Sequence, residues 1–75
     1  MKLGKVTGRI PMTKPADELR GAQILLVEME GSSIAALDKA GAQPGDRVLV
    51  AMSQAAAMYS RETPADAVVV AVVEN

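Results

Sequence analysis

The chain has 75 residues, a net charge of −1 from eight Lys and Arg against nine Asp and Glu, no Cys, no His, and Tyr59 as its one aromatic residue. This composition removes disulfides and the ligands of a tight transition-metal site, and it lacks the basic excess and stacking aromatics of a small nucleic-acid binder. A domain of this size buries only about 60 to 65% of the surface its unfolded chain exposes, so association with other chains is the stabilising device left to it.

Along residues 2–12, Lys2, Gly4, Val6, Gly8, Ile10 and Met12 alternate with a more polar set, which predicts a half-buried strand with its even face inward. Gly4 and Gly8 on that face permit strong curvature or close approach of another backbone. Residues 13–21 are polar, with Pro15 near the start and Gly21 at the end, and predict a loop with one helical turn. A second strand is expected over 22–29, apolar on both faces from Ile24 to Val27. Residues 30–33 carry turn chemistry. A short third strand follows at 34–38, preferred over a helical reading of the same Ala and Leu residues.

Residues 40–46 hold Gly41 and the Pro44-Gly45 pair, a tight turn feeding a fourth strand at 47–52. Ser53 then precedes the Ala-rich stretch 54–59, which predicts a short helix with Ser53 as its N-cap. Pro64 blocks continuation of that helix into the last segment. Residues 67–73 read Ala-Val-Val-Val-Ala-Val-Val without alternation, so they predict a strand with both faces buried. A small barrel covers only one face, and the other calls for a second copy of the chain or a partner.

These elements predict an all-β fold: a small five-stranded, oligonucleotide-binding-fold-like barrel with one short helix before the last strand, forming a single domain over residues 1–75. Without His or Cys, no nucleophile–base pair of the usual kind can be assembled, and Ser53 reads as a helix cap rather than a nucleophile. The carboxylates show no calcium-loop spacing; Asp46 and Asp66 sit where turn amides need an acceptor. Residues 4–8 carry two glycines but lie in a strand pattern with no helix after it, so they are not a phosphate loop. No catalytic residue, cofactor or metal is expected. The N-terminal residues lack the apolar run of a signal peptide and no stretch reaches membrane length, which makes a soluble intracellular protein the default reading.

Taken in order, Lys2-x-Gly4-x-Val6-x-Gly8, Thr13-Lys14, Leu19-x-Gly21-x-x-Ile24-Leu25-Leu26-Val27, Leu37-Asp38-x-x-Gly41-Ala42-x-x-Gly45-Asp46-x-Val48-Leu49-Val50, Ala55-Ala56 and Asp66-Ala67-x-Val69-Val70-x-x-Val73 form a series spanning essentially the whole chain. The series resembles the pentameric vertex proteins of bacterial microcompartment shells, the EutN/CcmL type. The resemblance implies a structural, non-enzymatic homopentamer that closes the corners of a polyhedral shell in the cytoplasm. Its implied partners are copies of itself and hexameric or pseudohexameric shell proteins, with no nucleic acid and no membrane. A nucleic-acid-binding barrel or an enzyme-adaptor module is the alternative that the fold alone would suggest.

The chain departs from the family pattern twice. The segment after Val50 lacks the family's usual Gly and following basic residue, which bears on any axial opening lined by Ser53, Gln54 and Ala55. The loop at 30–33 is shorter than in many relatives.

For the ring contact, alternation within the doubly apolar strands nominates Leu25 and Val27 with Val68, Val70 and Val72; the pattern equally allows the opposite faces. Val70→Asp is expected to abolish assembly on either assignment. If Val69 packs the core and Val70 the ring, Val70→Asp gives folded monomers and Val69→Asp unfolds the chain, which circular dichroism and light scattering together distinguish.

Overall fold

The computed structural model describes residues 1–74. It contains strands β1 (Lys2–Arg9), β2 (Ile24–Met29), β3 (Ser32–Asp38), β4 (Arg47–Met52) and β5 (Ala67–Val73), with a 3-10 turn at Asp17–Leu19 and one helix, α1 (Ser53–Tyr59). The strands close into a barrel in the order β1-β2-β3-β5-β4, antiparallel everywhere except at the β3–β5 seam. The expected five strands, single helix and polar loop with one helical turn are all present. β1 ends three residues earlier than the alternation implied, and β3 begins two residues earlier because the β2–β3 hairpin is tighter than expected. Its two-residue loop places Glu30 and Gly31 at φ 52° and 79°, the pair of positive angles that matches the twist of a tight hairpin.

The interior is a close assembly of small side chains. Val6, Leu25, Val27, Val48, Val50 and Val69 are fully buried and pack with Met29, Ala36, Ala42 and Ala67. A second, smaller cluster lies outside the barrel wall, where Ala56 of α1 covers Leu37 and Val68. Residues directly opposite in a ladder share a face, so the register assigns every strand position to the inside or the outside.

Two bulges govern that assignment. In β1, Val6 pairs with Val27 and Gly8 with Leu26, which leaves Thr7 as an extra residue. In β5, Val69 pairs with Val50 and Ala71 with Leu49, which leaves Val70 as the extra residue. An inserted residue reverses the inside–outside alternation beyond it. The even face of β1 is therefore inward only as far as Val6; Gly8 lies outside, beside Leu26, and the expectation that the even face stays inward through Met12 is corrected.

The two glycines of β1 consequently do different work. A Cβ on Gly4 would lie 2.6 Å from Val27 Cγ1 and 2.7 Å from Met29 Cγ, whereas one on Gly8 would meet nothing within 4 Å. Gly4 is the close-approach position foreseen for both.

The connection from β3 to β4 closes one mouth of the barrel. Asp38 Oδ1 accepts from the amides of Ala40, Gly41 and Ala42 at 3.0, 3.0 and 3.3 Å, and Asp46 Oδ2 accepts from the Gln43 amide at 2.8 Å. These bonds fold the loop back so that Ala42 enters the core. The loop is tied to β1 by Val6 N–H donating to the Asp46 carbonyl and Gly45 N–H donating to the Val6 carbonyl, at 2.9 and 2.8 Å.

Gly4→Ala is expected to lower stability by about 1 to 3 kcal/mol through overpacking against Val27 and Met29. Gly8→Ala is expected to be neutral or to gain up to about 1 kcal/mol from the less flexible unfolded chain. Urea denaturation of the two variants side by side checks the contrast.

Candidate assembly surfaces

Outward-facing positions carry the apolar residues that the barrel leaves uncovered. On β4 and β5, Ala51 pairs with Val68 on the outer face, and both are fully buried, Val68 against Ala56 of α1. Because α1 has only seven residues it ends there, and the same outer face continues uncovered. Its continuation is formed by Leu3, Leu49 and Ala71 in one cross-strand row and by Val73 in the next. Leu3 is 53% exposed; Leu49, Ala71 and Val73 are half-buried.

On the far side of the barrel, the outer faces of β2 and β3 meet the loops before β2 and β5. Ile10, Met12, Leu19, Ile24, Ala35, Pro64 and Ala65 line a groove of about 270 Å³ there, with Asp66 at its rim. The barrel order places β4 opposite the β2–β3 pair. The strip and the groove therefore face in opposite directions.

The nominated ring residues divide among three environments. Leu25 and Val27 are fully buried inside the barrel, and Val68 is fully buried beneath α1, so none of the three can supply a contact surface. On β2 the outward set is Ile24 and Leu26, paired with Leu37 and Ala35, which is the opposite face assignment to the one nominated. Val70 is half-buried at the edge of the α1-covered cluster, with Val69 inside. Val72 is 48% exposed, yet it pairs with Val48 and so belongs to the inward face at the barrel mouth. Val70 and Val72 thus lie on different faces, because the bulge falls at Val70 itself.

Sequence reasoning did not single out Leu3, Leu49, Ala71 and Val73 as one uncovered apolar face. Leu3 was visible as an apolar residue on the polar side of β1; the others required the register.

Ser53 does not cap α1. The N-cap residue is Met52, and no side chain bonds to the free amides of the first turn. Ser53 instead takes φ 52° and donates its own amide to the Asp66 carbonyl at 2.8 Å, which ties the start of α1 to the start of β5. A non-glycine residue in this left-handed region is strained, and the usual Gly missing from this segment would relieve that strain. Ser53 and Gln54 are exposed and Ala55 is half-buried.

Among the described residues, no three His, Cys, Asp or Glu side chains come together to hold a metal ion, and no helix is long and apolar enough to cross a membrane. The exposed ion pairs are Lys2–Glu30 at 3.2 Å and Arg20–Asp17 at 3.0 Å. Such pairs contribute little to stability.

The family described as ethanolamine utilisation protein EutN/carboxysome, EutN/CcmL, matches residues 1–74. The GrpN pentameric microcompartment shell protein from Rhodospirillum rubrum superposes with a TM-score of 0.84 at 32% identity, over 100% of this chain and 95% of that one. The ethanolamine utilization protein EutN from Escherichia coli gives 0.84 at 32% identity, over 97% and 85%. CcmL of Nostoc sp. PCC 7120 gives 0.84 at 30% identity, over 100% and 90%. No curated protein matches the chain.

Ser53→Gly is expected to raise stability by about 0.5 to 1 kcal/mol, the left-handed strain removed less the added flexibility of glycine. Ser53→Val is expected to lower it, since a β-branched residue tolerates that φ least. Thermal unfolding followed by circular dichroism measures both.

Proposed function

Since the chain belongs to the EutN/CcmL family, we propose that it is a homopentameric vertex protein of a bacterial microcompartment shell, packed in the cytoplasm against hexameric shell proteins. Its role is structural: it belongs to a family of shell proteins, not of enzymes. The observation that supports the ring most directly is the pair of uncovered apolar surfaces on opposite sides of one barrel. A head-to-tail contact needs two different, complementary surfaces on each subunit, and it yields a closed ring when the rotation between neighbours divides a full turn. The Leu3–Leu49–Ala71 strip and the groove lined by Ile10, Ile24 and Ala65 are two such surfaces.

Mechanism here is geometry. Flat hexagonal sheets cannot close on themselves, and a fivefold unit inserted among hexamers supplies the curvature of a corner. In this reading Val70 borders the strip contact, and Val72 lies at the barrel mouth where neighbouring subunits approach. The exposed Ser53 and Gln54, with Ala55, border the axial opening. The absent Gly and basic residue then leave that opening with an uncharged polar rim at these positions.

Light scattering at micromolar concentration is expected to give five times the 7.8 kDa mass of the chain; a stable monomer would rule the proposal out. Leu3→Asp places a charge in the strip without touching the barrel interior. It is expected to leave the circular dichroism spectrum unchanged and to reduce the mass to that of single chains.

A further inference from the structure

The row of outer-face residues next to the Leu3–Leu49–Ala71 strip carries two cations that form no ion pair among the described residues. Lys5 and Arg47 stand directly opposite each other on β1 and β4, both exposed. Like charges in that relation repel and destabilise the sheet. Glu28 stands across from Lys5 on β2, but the ion pairs of the described residues are Lys2–Glu30 and Arg20–Asp17, and neither Lys5 nor Arg47 takes part in one.

The groove on the far side has the opposite character. Asp66 lines the groove and is exposed, and Glu18, also exposed, precedes the groove residue Leu19 in the chain; among the described residues neither side chain makes an ion pair or a hydrogen bond. An apolar strip edged by unpaired cations and an apolar groove edged by unpaired carboxylates are complementary in both respects. Charge placed at the edge of an apolar contact fixes its register and excludes wrong pairings more than it adds affinity.

We propose that the occupant of the groove is a second copy of this chain, whose Lys5 and Arg47 lie against Glu18 and Asp66 and set the head-to-tail direction of the ring. The inference rests on the ring proposed above and identifies which face meets which. Two strips paired with each other would bring four cations together against only the two Glu28 carboxylates, so the charge pattern also disfavours the two-fold dimer that an apolar strip alone would favour.

Charge reversal tests the pairing. The double variants Lys5→Glu/Arg47→Glu and Glu18→Lys/Asp66→Lys are each expected to fold, since all four side chains are exposed, and to lose the five-chain mass. Combining all four substitutions in one chain is expected to restore it. The two double variants mixed in equal amounts should bind each other but cannot alternate around an odd-numbered ring, so they form open or even-numbered assemblies.

Lys5→Gln/Arg47→Gln provides a milder readout. It should raise the concentration at which rings dissociate by about tenfold, and should flatten the salt dependence of that concentration relative to the unsubstituted chain. Double variants that keep the five-chain mass, a quadruple variant that stays dissociated while folded, or a salt response unchanged by neutralisation each overturn the pairing. An unsubstituted chain that fails to assemble overturns instead the ring on which the pairing depends.

Discussion

Closing five short strands around a core of Val, Leu, Ala and Met forces the sheet to bend sharply, and the two bulges at Thr7 and Val70 accompany that bending. Each inserts one residue on one strand, increases local twist and exchanges inside for outside beyond it. The core depends on them: Val6 and Val69 can both face inward while Gly8 and Ala71 face out. The surface depends on them equally. Without the bulge at Val70, the last strand would turn Val72 outward with Val68 and Val70, and the strip beside Leu3 and Leu49 would have a different composition.

The helix sets how much of that outer face is hidden. Ala56 seals Leu37 and Val68 into a second cluster, but a helix of two turns covers only the upper part of β4 and β5. What remains uncovered is apolar because the strand residues there follow the β-branched and aliphatic preference of the whole barrel rather than the polarity of an exposed face. Among the described residues no second α-helix covers them. The chain belongs to the EutN/CcmL family and is similar to a pentameric microcompartment shell protein, and in the proposed ring a neighbouring subunit would cover such a face.

Much of the fold was legible because its signals are local. Apolar runs bounded by Gly and Pro located the strands at Ile24, Leu37, Val48 and Val69, and Pro64 separated the helix from the last of them. The ordered series from Lys2 to Val73 identified the family, since each block marks a position with a physical demand: Gly4 faces Val27 and Met29 at close range, and Asp38 gathers the amides of the loop that ends with Ala42. The assembly surface was much less legible. A bulge is a property of two strands in register, and nothing within residues 67–73 announces that Val70 is the unpaired one. Leu25 and Val27 were indistinguishable from Ile24 and Leu26 for the same reason: a run apolar on both faces does not say which face is inside. Ser53 misled in another way, for its side chain suits a cap while its backbone serves as a left-handed hinge tied to Asp66.

The seam between β3 and β5 is closed differently from the rest of the barrel. Only two register pairs join these strands, Leu37 with Val68 and Asp38 with Val69, and Lys39 N–H adds one bond to the Val69 carbonyl at 3.0 Å. The other ladders are longer, so backbone hydrogen bonds hold this line least, and the buried packing of Leu37 and Val68 under Ala56 carries the closure across it. The line separates the hairpin of β2 with β3 from the antiparallel pair of β4 with β5. Helix α1 thus acts as a clasp, closing with side chains the one line of the barrel that its strands only partly stitch.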